Sequence, residues 1–156
     1  MLKMKWETLK EKIYYWDGAW LDIYVLNASR EDWKKWIEYV NNKFELSFYH
    51  GENRSEEKQI SFEAVSDLWD GKTEFTNDAT IKLDKMSIKC NFFDDAEIEN
   101  FFDPGEVESI EDHNKLINYM IEMSRIIGKT VIMTPENRPE LVYISANNGE
   151  TKINLY

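Results

Sequence analysis

Two stretches of the chain repeat apolar residues with the 3.6-residue period of an amphipathic helix. The first covers about residues 30–41 and follows Ser29, a favourable N-cap residue, with Asp32 three positions later as in a capping box. The second begins at or near Asp112 and stops before Gly128, a residue type favoured just past a helix C-terminus. Short runs of strand-forming residues flank both stretches, so the pattern predicts an α+β fold.

Strand-like runs separated by turn residues fill much of the remaining chain. They lie at residues 44–48, 81–83, 88–93, 98–102, 129–134, 141–145 and 151–155. The dipeptides Asp17-Gly18 and Asn148-Gly149 are strong hairpin signals between such runs. Asp22 then alternates with apolar neighbours, as on a strand with one exposed face. These signals predict a mostly antiparallel sheet on which the two main amphipathic helices pack.

A weak internal sequence similarity, called the internal echo below, relates residues 15–22 to residues 92–99 at a spacing of 77 residues. Each copy has an aromatic pair, an aspartate, an alanine, an aliphatic residue and an acid, and each precedes a predicted helix and strand. The echo allows two β-β-α-β units, although chance similarity explains it equally well. Because no linker-like segment divides the chain, we expect one α+β domain over residues 1–156.

The formal net charge of −11 is concentrated in residues 61–114, which hold 15 acidic and four basic side chains. Such a field repels phosphate backbones, so nucleic-acid binding is disfavoured. It attracts a basic protein partner and speeds its association. The charge distribution therefore favours a protein–protein binding role.

The expected compartment follows from cysteine usage and from the N-terminal sequence. Cys90 is the only cysteine, which suits a reducing compartment because it leaves no internal disulfide. The N-terminal residues MLKMKWETLKEKI carry charges every few positions and have no apolar signal-peptide core. No run approaches the roughly 20 apolar residues of a membrane span. We expect a cytoplasmic protein that does not bind membranes.

Between Cys90 and Asn114 the chain has nine acidic residues and no lysine or arginine. The acids are Asp94, Asp95, Glu97, Glu99, Asp103, Glu106, Glu108, Glu111 and Asp112. The later ones precede a predicted helix, whose macrodipole favours each negative charge by about 0.3–1 kcal/mol. Turn formation and helix capping explain Glu97 and Glu99 less well, because residues at this spacing share one face of a strand.

The acidic run and the tryptophan-containing turn before it supply two candidate binding patches. The candidate partner-binding residues are Asp94, Asp95, Glu97 and Glu99 in the first patch, and Asp17, Trp20 and Asp22 in the second. Aromatic side chains beside carboxylates can combine a desolvated anchor with charge complementarity. For the second patch, cross-strand aromatic packing around a turn is the alternative interpretation.

Metal and catalytic interpretations have less support in the sequence. The carboxylates of residues 94–99 suit calcium, but their spacing is not that of an EF-hand loop. His50, His113 and Cys90 form no zinc motif, and a dyad of Cys90 with either histidine is the one nucleophile arrangement left open. No glycine-rich phosphate loop or nucleophile elbow is present. We predict no enzyme activity, no catalytic residues, no metal and no cofactor.

Three stretches of the chain resemble segments of small acidic bacterial proteins. They read WDGAWLDIYVLNASREDW, IKCNFFDDAEIENFFDP and KTVIMTPEN, and the resemblance covers roughly residues 13–140. The proteins that they resemble are immunity partners of polymorphic or contact-dependent toxins. The resemblance implies an acidic α+β protein that binds a toxin in the cytoplasm of the producing cell and blocks its active site. It implies no catalytic residues.

The sequence therefore predicts a binding protein, an immunity-type inhibitor of a basic bacterial toxin. The main alternative is an adaptor or regulatory binding module. A divalent-metal-binding protein is a second alternative, which the sequence favours less. Either a monomer or a homodimer through an exposed strand edge is consistent with the sequence.

Overall fold

Residues 5–156 of the chain are described by a computed structural model, and they form four α-helices and nine strands. The helices are α1 (Trp6–Lys12), α2 (Arg30–Lys43), α3 (Phe62–Trp69) and α4 (Ile110–Ile127). The strands are β1 (Leu21–Val25), β2 (Leu46–His50), β3 (Ser55–Glu57), β4 (Asp78–Leu83), β5 (Met86–Cys90), β6 (Ile98–Phe102), β7 (Val131–Pro135), β8 (Ile144–Asn147) and β9 (Glu150–Ile153).

All nine strands belong to one antiparallel sheet in the order β3-β2-β4-β5-β6-β1-β7-β8-β9. The amphipathic helices α2 and α4 contact each other, and α4 also contacts β7 and β8. Their apolar stripes form one core with the sheet. The predicted α+β class, with a mostly antiparallel sheet and two main helices packed on it, is confirmed.

Local sequence signals set several element boundaries as predicted. The hydroxyl of Ser29 accepts a hydrogen bond from the Asp32 backbone N–H at 3.1 Å, and the Asp32 carboxylate accepts one from the Ser29 N–H at 2.9 Å. Gly128 ends α4 with φ of 76°, in the left-handed region that glycine adopts without strain. Asn148 and Gly149 both have positive φ, as the tight turn between β8 and β9 requires.

The hairpin predicted around Asp17-Gly18 is wrong. Gly18 does turn the chain, with φ of 87°, but Ile13 and Tyr14 before it are buried with α1 in the core and form no strand. β1 pairs instead with β6 and β7, so it lies inside the sheet. The exposed face predicted for this strand is also wrong, because all five of its residues are buried.

The internal echo corresponds to a real relationship between two strands. At the 77-residue spacing, β1 corresponds to β6, and the two strands pair with each other. Each is followed by a helix and a strand, α2 and β2 in the first case, α4 and β7 in the second. Only the second copy has a preceding strand, β5, so the chain does not contain two complete β-β-α-β units.

The sheet has one face covered by the main helices and one face that they leave uncovered. Ile23 and Val25 of β1 join the core that contains Trp36 of α2 and Met120 of α4. Because side chains alternate along a strand, Asp22 and Tyr24 point to the opposite side, which we call the open face because the main helices do not cover it. Both of these side chains are nevertheless buried there. Within residues 5–156, no helix is both long and apolar enough to cross a bilayer.

Candidate interaction surface

The antiparallel register of β1 and β6 places polar and aromatic side chains of both strands on the open face. Tyr24 lies opposite Glu99, and Asp22 lies opposite Phe101. Directly opposed residues in an antiparallel pair project from the same face, with Cβ atoms about 4.5–5.5 Å apart. A carboxylate from each strand therefore lies within one small area of the sheet.

Asp22 is a buried carboxylate held by two donors. The Tyr24 hydroxyl donates to Asp22 Oδ2 at 2.9 Å, and the Asn137 backbone N–H donates to the same oxygen at 2.7 Å. Burial raises the pKa of Asp22, the two hydrogen bonds oppose that rise, and the charge of Glu136 adds to it. Asp22 is thus oriented by its surroundings, and no basic side chain of residues 5–156 forms an ion pair with it.

Glu99 has the most perturbed carboxyl group on this surface. Burial, followed by the charges of Asp22 and Glu97, raises its pKa from 4.5 to about 7. Throughout the described part of the chain, neither Glu97 nor Glu99 has a side-chain hydrogen bond or an ion pair. Within residues 5–156, no hydrogen bond or ion pair therefore relieves the repulsion that Asp22 and Glu97 exert on Glu99.

Two aromatic rings adjoin these carboxylates. Trp20 and Phe101 meet edge to face, with ring centroids 5.6 Å apart and planes at 87°. Trp20 is 36% exposed, and the Lys89 ammonium lies 5.7 Å from the centroid of its ring. The indole face already receives a cation, which is the contact an arginine or lysine of a partner would make. We call Trp20, Asp22, Glu97, Glu99 and Phe101 the acidic face.

The other predicted partner-binding residues do not belong to the acidic face. The carboxylates of Asp94 and Asp17 fix turns by accepting the backbone N–H groups of Ala96 and Ala19, at 2.8 and 3.0 Å. Asp95 pairs with Arg30, whose Nε lies 3.0 Å from its Oδ2. Of the seven predicted residues, the structure therefore brings together four, namely Trp20, Asp22, Glu97 and Glu99.

Sequence reasoning did not include Phe101, Tyr24 and Lys89 among the candidates. The alternation that groups Glu97 with Glu99 also places Phe101 on that face, so the same signal identifies it. Lys89 approaches Trp20 through the pairing of β5 with β6, in which it lies opposite Phe101. That pairing is a long-range relationship that no local pattern specifies.

The residues weighed for metal binding or catalysis lie in different surroundings. Cys90 is fully buried, and burial raises its pKa to about 12, which leaves little thiolate at neutral pH. His113 Nδ1 lies 2.6 Å from the Tyr14 hydroxyl in the core, and His50 Nδ1 accepts the Asn53 N–H. Among residues 5–156, no three His, Cys, Asp or Glu side chains are grouped as metal ligands.

Comparison with known proteins gives no match for this chain among family models, curated proteins or solved structures.

Proposed function

We propose that this chain is a binding protein whose acidic face receives a positively charged surface of a protein partner. The observation that carries the proposal is the group formed by Asp22, Glu97 and Glu99, unpaired with any cation of the described chain and next to the exposed Trp20. All of these residues lie on or beside the central strands β1 and β6. Glu97 and Glu99, which are partly exposed, are therefore presented on a rigid support, which lowers the ordering cost of binding, whereas the buried Asp22 acts only through its charge.

The energetics of the acidic face support a binding role over a purely structural one. Three carboxylates that repel one another in a partly dehydrated site destabilise the folded chain. A lysine or arginine from a partner removes that repulsion, so the same groups that oppose folding favour association. Features that reduce stability without a compensating internal contact are characteristic of functional sites.

The wider charge distribution supports a basic partner. The acidic excess of residues 61–114 creates a negative field around the acidic face, and such a field accelerates the approach of a cationic protein. The acceleration weakens as salt is added. Nucleic acid, which carries the same sign of charge, is not the partner that we propose.

Within this class, we infer an immunity-type inhibitor that acts in the cytoplasm of the producing bacterium. Toxins that cleave nucleic acids bind phosphates through basic sites, and carboxylates on a firm sheet mimic those phosphates. The chain then blocks the toxin by occupying its basic site, and it performs no chemistry itself. An adaptor that uses the same face to bind a basic partner is the alternative, and protection from a toxin separates the two.

The experiment measures binding and protection together. The full chain is mixed with each basic, toxin-like protein encoded next to its own gene, and association is followed by calorimetry at low and physiological ionic strength. Co-expression then tests whether the chain restores growth to cells that make the toxin. We expect a complex that weakens with salt, and protection that depends on the acidic face.

Two matched variants identify the surface. Glu97→Gln with Glu99→Gln removes two carboxyl groups from the acidic face, whereas Glu38→Gln with Glu63→Gln removes two exposed carboxyl groups from α2 and α3. The first pair should weaken the affinity measured by calorimetry and abolish protection, and the second should change neither. Trp20→Ala should weaken affinity by about tenfold or more, which is ~1.4 kcal/mol. Equal effects of the two glutamine pairs would contradict the assignment of the surface.

A further inference from the structure

A second surface adjoins the Trp20 end of the acidic face, where α1 and the segment after it meet the 3-10 turn Pro104–Glu106. It is a groove of about 620 Å³. The apolar side chains that line it are Trp6, Tyr14, Tyr15, Trp16, Pro104 and Val107. Trp16 is 68% exposed and Tyr15 is 42% exposed. Adjacent aromatic rings with this much exposure mark an interaction surface more often than a chance feature.

The aromatic rings of the groove are held in place by the fold. Trp6 and Tyr14 are stacked, with centroids 6.0 Å apart and planes at 26°. The Trp16 ring lies over Gly105, close enough that a Cβ at that glycine would be 3.8 Å from Trp16 Cε3. The rings therefore form a preorganised platform, which a partner can cover without first ordering it.

The indole N–H groups of the chain divide into two sets. Those of Trp33, Trp36 and Trp69 donate to oxygen atoms at 2.9–3.1 Å. Those of Trp6, Trp16 and Trp20 have no acceptor within residues 5–156. Trp6 and Trp16 belong to the groove, so two of these three donors lie where no acceptor of the described residues occupies them.

The rim of the groove is mainly acidic. Glu7 and Glu11 line it together with Glu108, against the single cation Lys10. Glu108 also faces Lys85 at 3.6 Å, whereas Glu7 and Glu11 have no ion pair among the residues described. A positively charged segment is the complement of this rim.

We propose that the groove binds a proline-rich, arginine-bearing segment of a protein partner in the polyproline II conformation. Such a segment makes no internal hydrogen bonds, so its carbonyl groups are free to accept the Trp6 and Trp16 indole N–H groups. Its proline rings pack on the aromatic platform, which is the usual mode for segments of this kind. Its arginines pair with Glu7 and Glu11 and stack on the exposed rings.

The test uses the full chain labelled with ¹⁵N and three synthetic peptides of equal length. The first combines prolines with two arginines, the second replaces the arginines by glutamates, and the third replaces the prolines by glycines. We expect saturable binding of the first peptide only, with the other two weaker by at least tenfold. The indole N–H resonance of Trp16 should shift during the titration, while those of Trp33, Trp36 and Trp69 should not.

Two variants of exposed aromatic residues locate the binding site. Trp16→Ala removes an exposed ring of the groove and should weaken the first peptide at least tenfold. Phe93→Ala removes an equally exposed ring from the loop between β5 and β6, away from the groove, and should leave the affinity unchanged. Trp16 is so exposed that its removal should not unfold the chain, which the unchanged resonances of the buried tryptophans will verify. Failure of the first peptide to saturate, equal binding of the glycine peptide, or a larger effect of Phe93→Ala than of Trp16→Ala would each overturn the proposal. None of these outcomes depends on whether the acidic face binds a toxin.

Discussion

Asp22 and Glu99 are carboxylates on neighbouring central strands of the sheet, and each lies beside Tyr24. Asp22 is two positions from Tyr24 along β1, and Glu99 lies directly opposite Tyr24 on β6. The Tyr24 hydroxyl donates to Asp22, whereas Glu99 has no donor among the residues described. One carboxylate of the pair is therefore stabilised by the fold, and the other is left to repel it. This asymmetry makes Glu99 the residue at which stability and function are expected to oppose each other.

Replacing Glu99 by glutamine should stabilise the chain at alkaline pH. A carboxyl group whose pKa rises from 4.5 to about 7 on folding binds its proton more tightly in the folded state. The favourable contribution of protonated Glu99 to the free energy of unfolding is complete below pH 4.5 and is lost as the pH rises through 7. Because each pKa unit corresponds to about 1.4 kcal/mol and water reaches Glu99, we expect a gain of about 1–2 kcal/mol at pH 8.

Urea unfolding at pH 4 and pH 8, followed by tryptophan fluorescence, measures this effect. At pH 4 the variant and the parent chain should be equally stable, since both carry a neutral group at this position. Glu38→Gln on the outer surface of α2 is the control and should change stability by no more than about 0.5 kcal/mol. A variant at position 99 that is less stable than the parent at pH 8 would show that Glu99 has a stabilising partner.

Replacing Tyr24 by phenylalanine should destabilise the chain, because it removes one of the two donors to a buried carboxylate. A hydrogen bond to a charged group contributes about 1.5–3 kcal/mol, and we expect a loss in that range at pH 8. The Tyr24 hydroxyl lowers the pKa of Asp22, so its removal shifts that pKa upward and makes the loss smaller at pH 5. Tyr49→Phe removes an exposed hydroxyl from β2 and should have little effect at either pH.

Local signals in the sequence were sufficient to predict helix caps, the turn at Asn148-Gly149 and the alternation that groups Glu97 with Glu99. They were not sufficient for Asp17-Gly18, where the turn exists but the residues before it are recruited by the core. A dipeptide specifies the direction of the chain, whereas the pairing of β1 with β6 and β7 depends on hydrophobic burial across the whole fold.

The candidate surface shows the same division between local and long-range information. Asp95 and Glu97 are two residues apart and look alike in sequence, yet Asp95 pairs with Arg30 and Glu97 has no such partner in the described chain. The distinction depends on where the start of α2 lies relative to the β5–β6 loop, which is a tertiary relationship. The acidic run therefore identifies a region from the sequence, and the structure selects the residues within it.

Replacing Tyr119 by phenylalanine should be among the more damaging single-atom changes in the core. The Trp36 indole N–H donates to the Tyr119 hydroxyl at 2.9 Å, and that hydroxyl donates to Asn100 Oδ1 at 2.5 Å. Removing the hydroxyl leaves a buried donor and a buried acceptor without partners, for a loss of about 2–4 kcal/mol. Tyr39→Phe is the matched control, since Tyr39 stacks on Tyr119 and its hydroxyl has no partner among residues 5–156.

Denaturant midpoints for the two variants provide the comparison. The Tyr119 variant should lose stability by the same amount at low and high salt, because the groups left without partners are neutral. The Tyr39 variant should retain most of its stability. Similar losses in both would indicate that ring packing, not the hydrogen-bond chain, determines the contribution of Tyr119.

Acid should weaken the fold through His113, which is buried between α4 and the segment that follows α1. Burial lowers the pKa of His113 from 6.5 to about 4, so the unfolded chain takes up a proton at this residue before the folded chain does. The contribution of neutral His113 to the free energy of unfolding is therefore complete above pH 6.5. It is lost as the pH falls through 4, which lowers that free energy by about 2–3 kcal/mol. His113→Gln should remove this acid-dependent loss, although it also lowers stability at pH 7 by changing the hydrogen bond to Tyr14.

Glu99 acts in the opposite direction over nearly the same pH range, because its protonation stabilises the folded chain as the pH falls from 7 to 4.5. The two contributions partly cancel in the parent chain, so its stability between pH 4.5 and pH 6.5 should vary less than either residue alone predicts. In the Glu99→Gln background the histidine contribution is isolated, and urea midpoints should fall more steeply with acid than in the parent chain. Adding His113→Gln should flatten that dependence, whereas adding His50→Gln should not. An equally steep acid dependence in the double variant with His113→Gln would mean that groups other than His113 cause the loss.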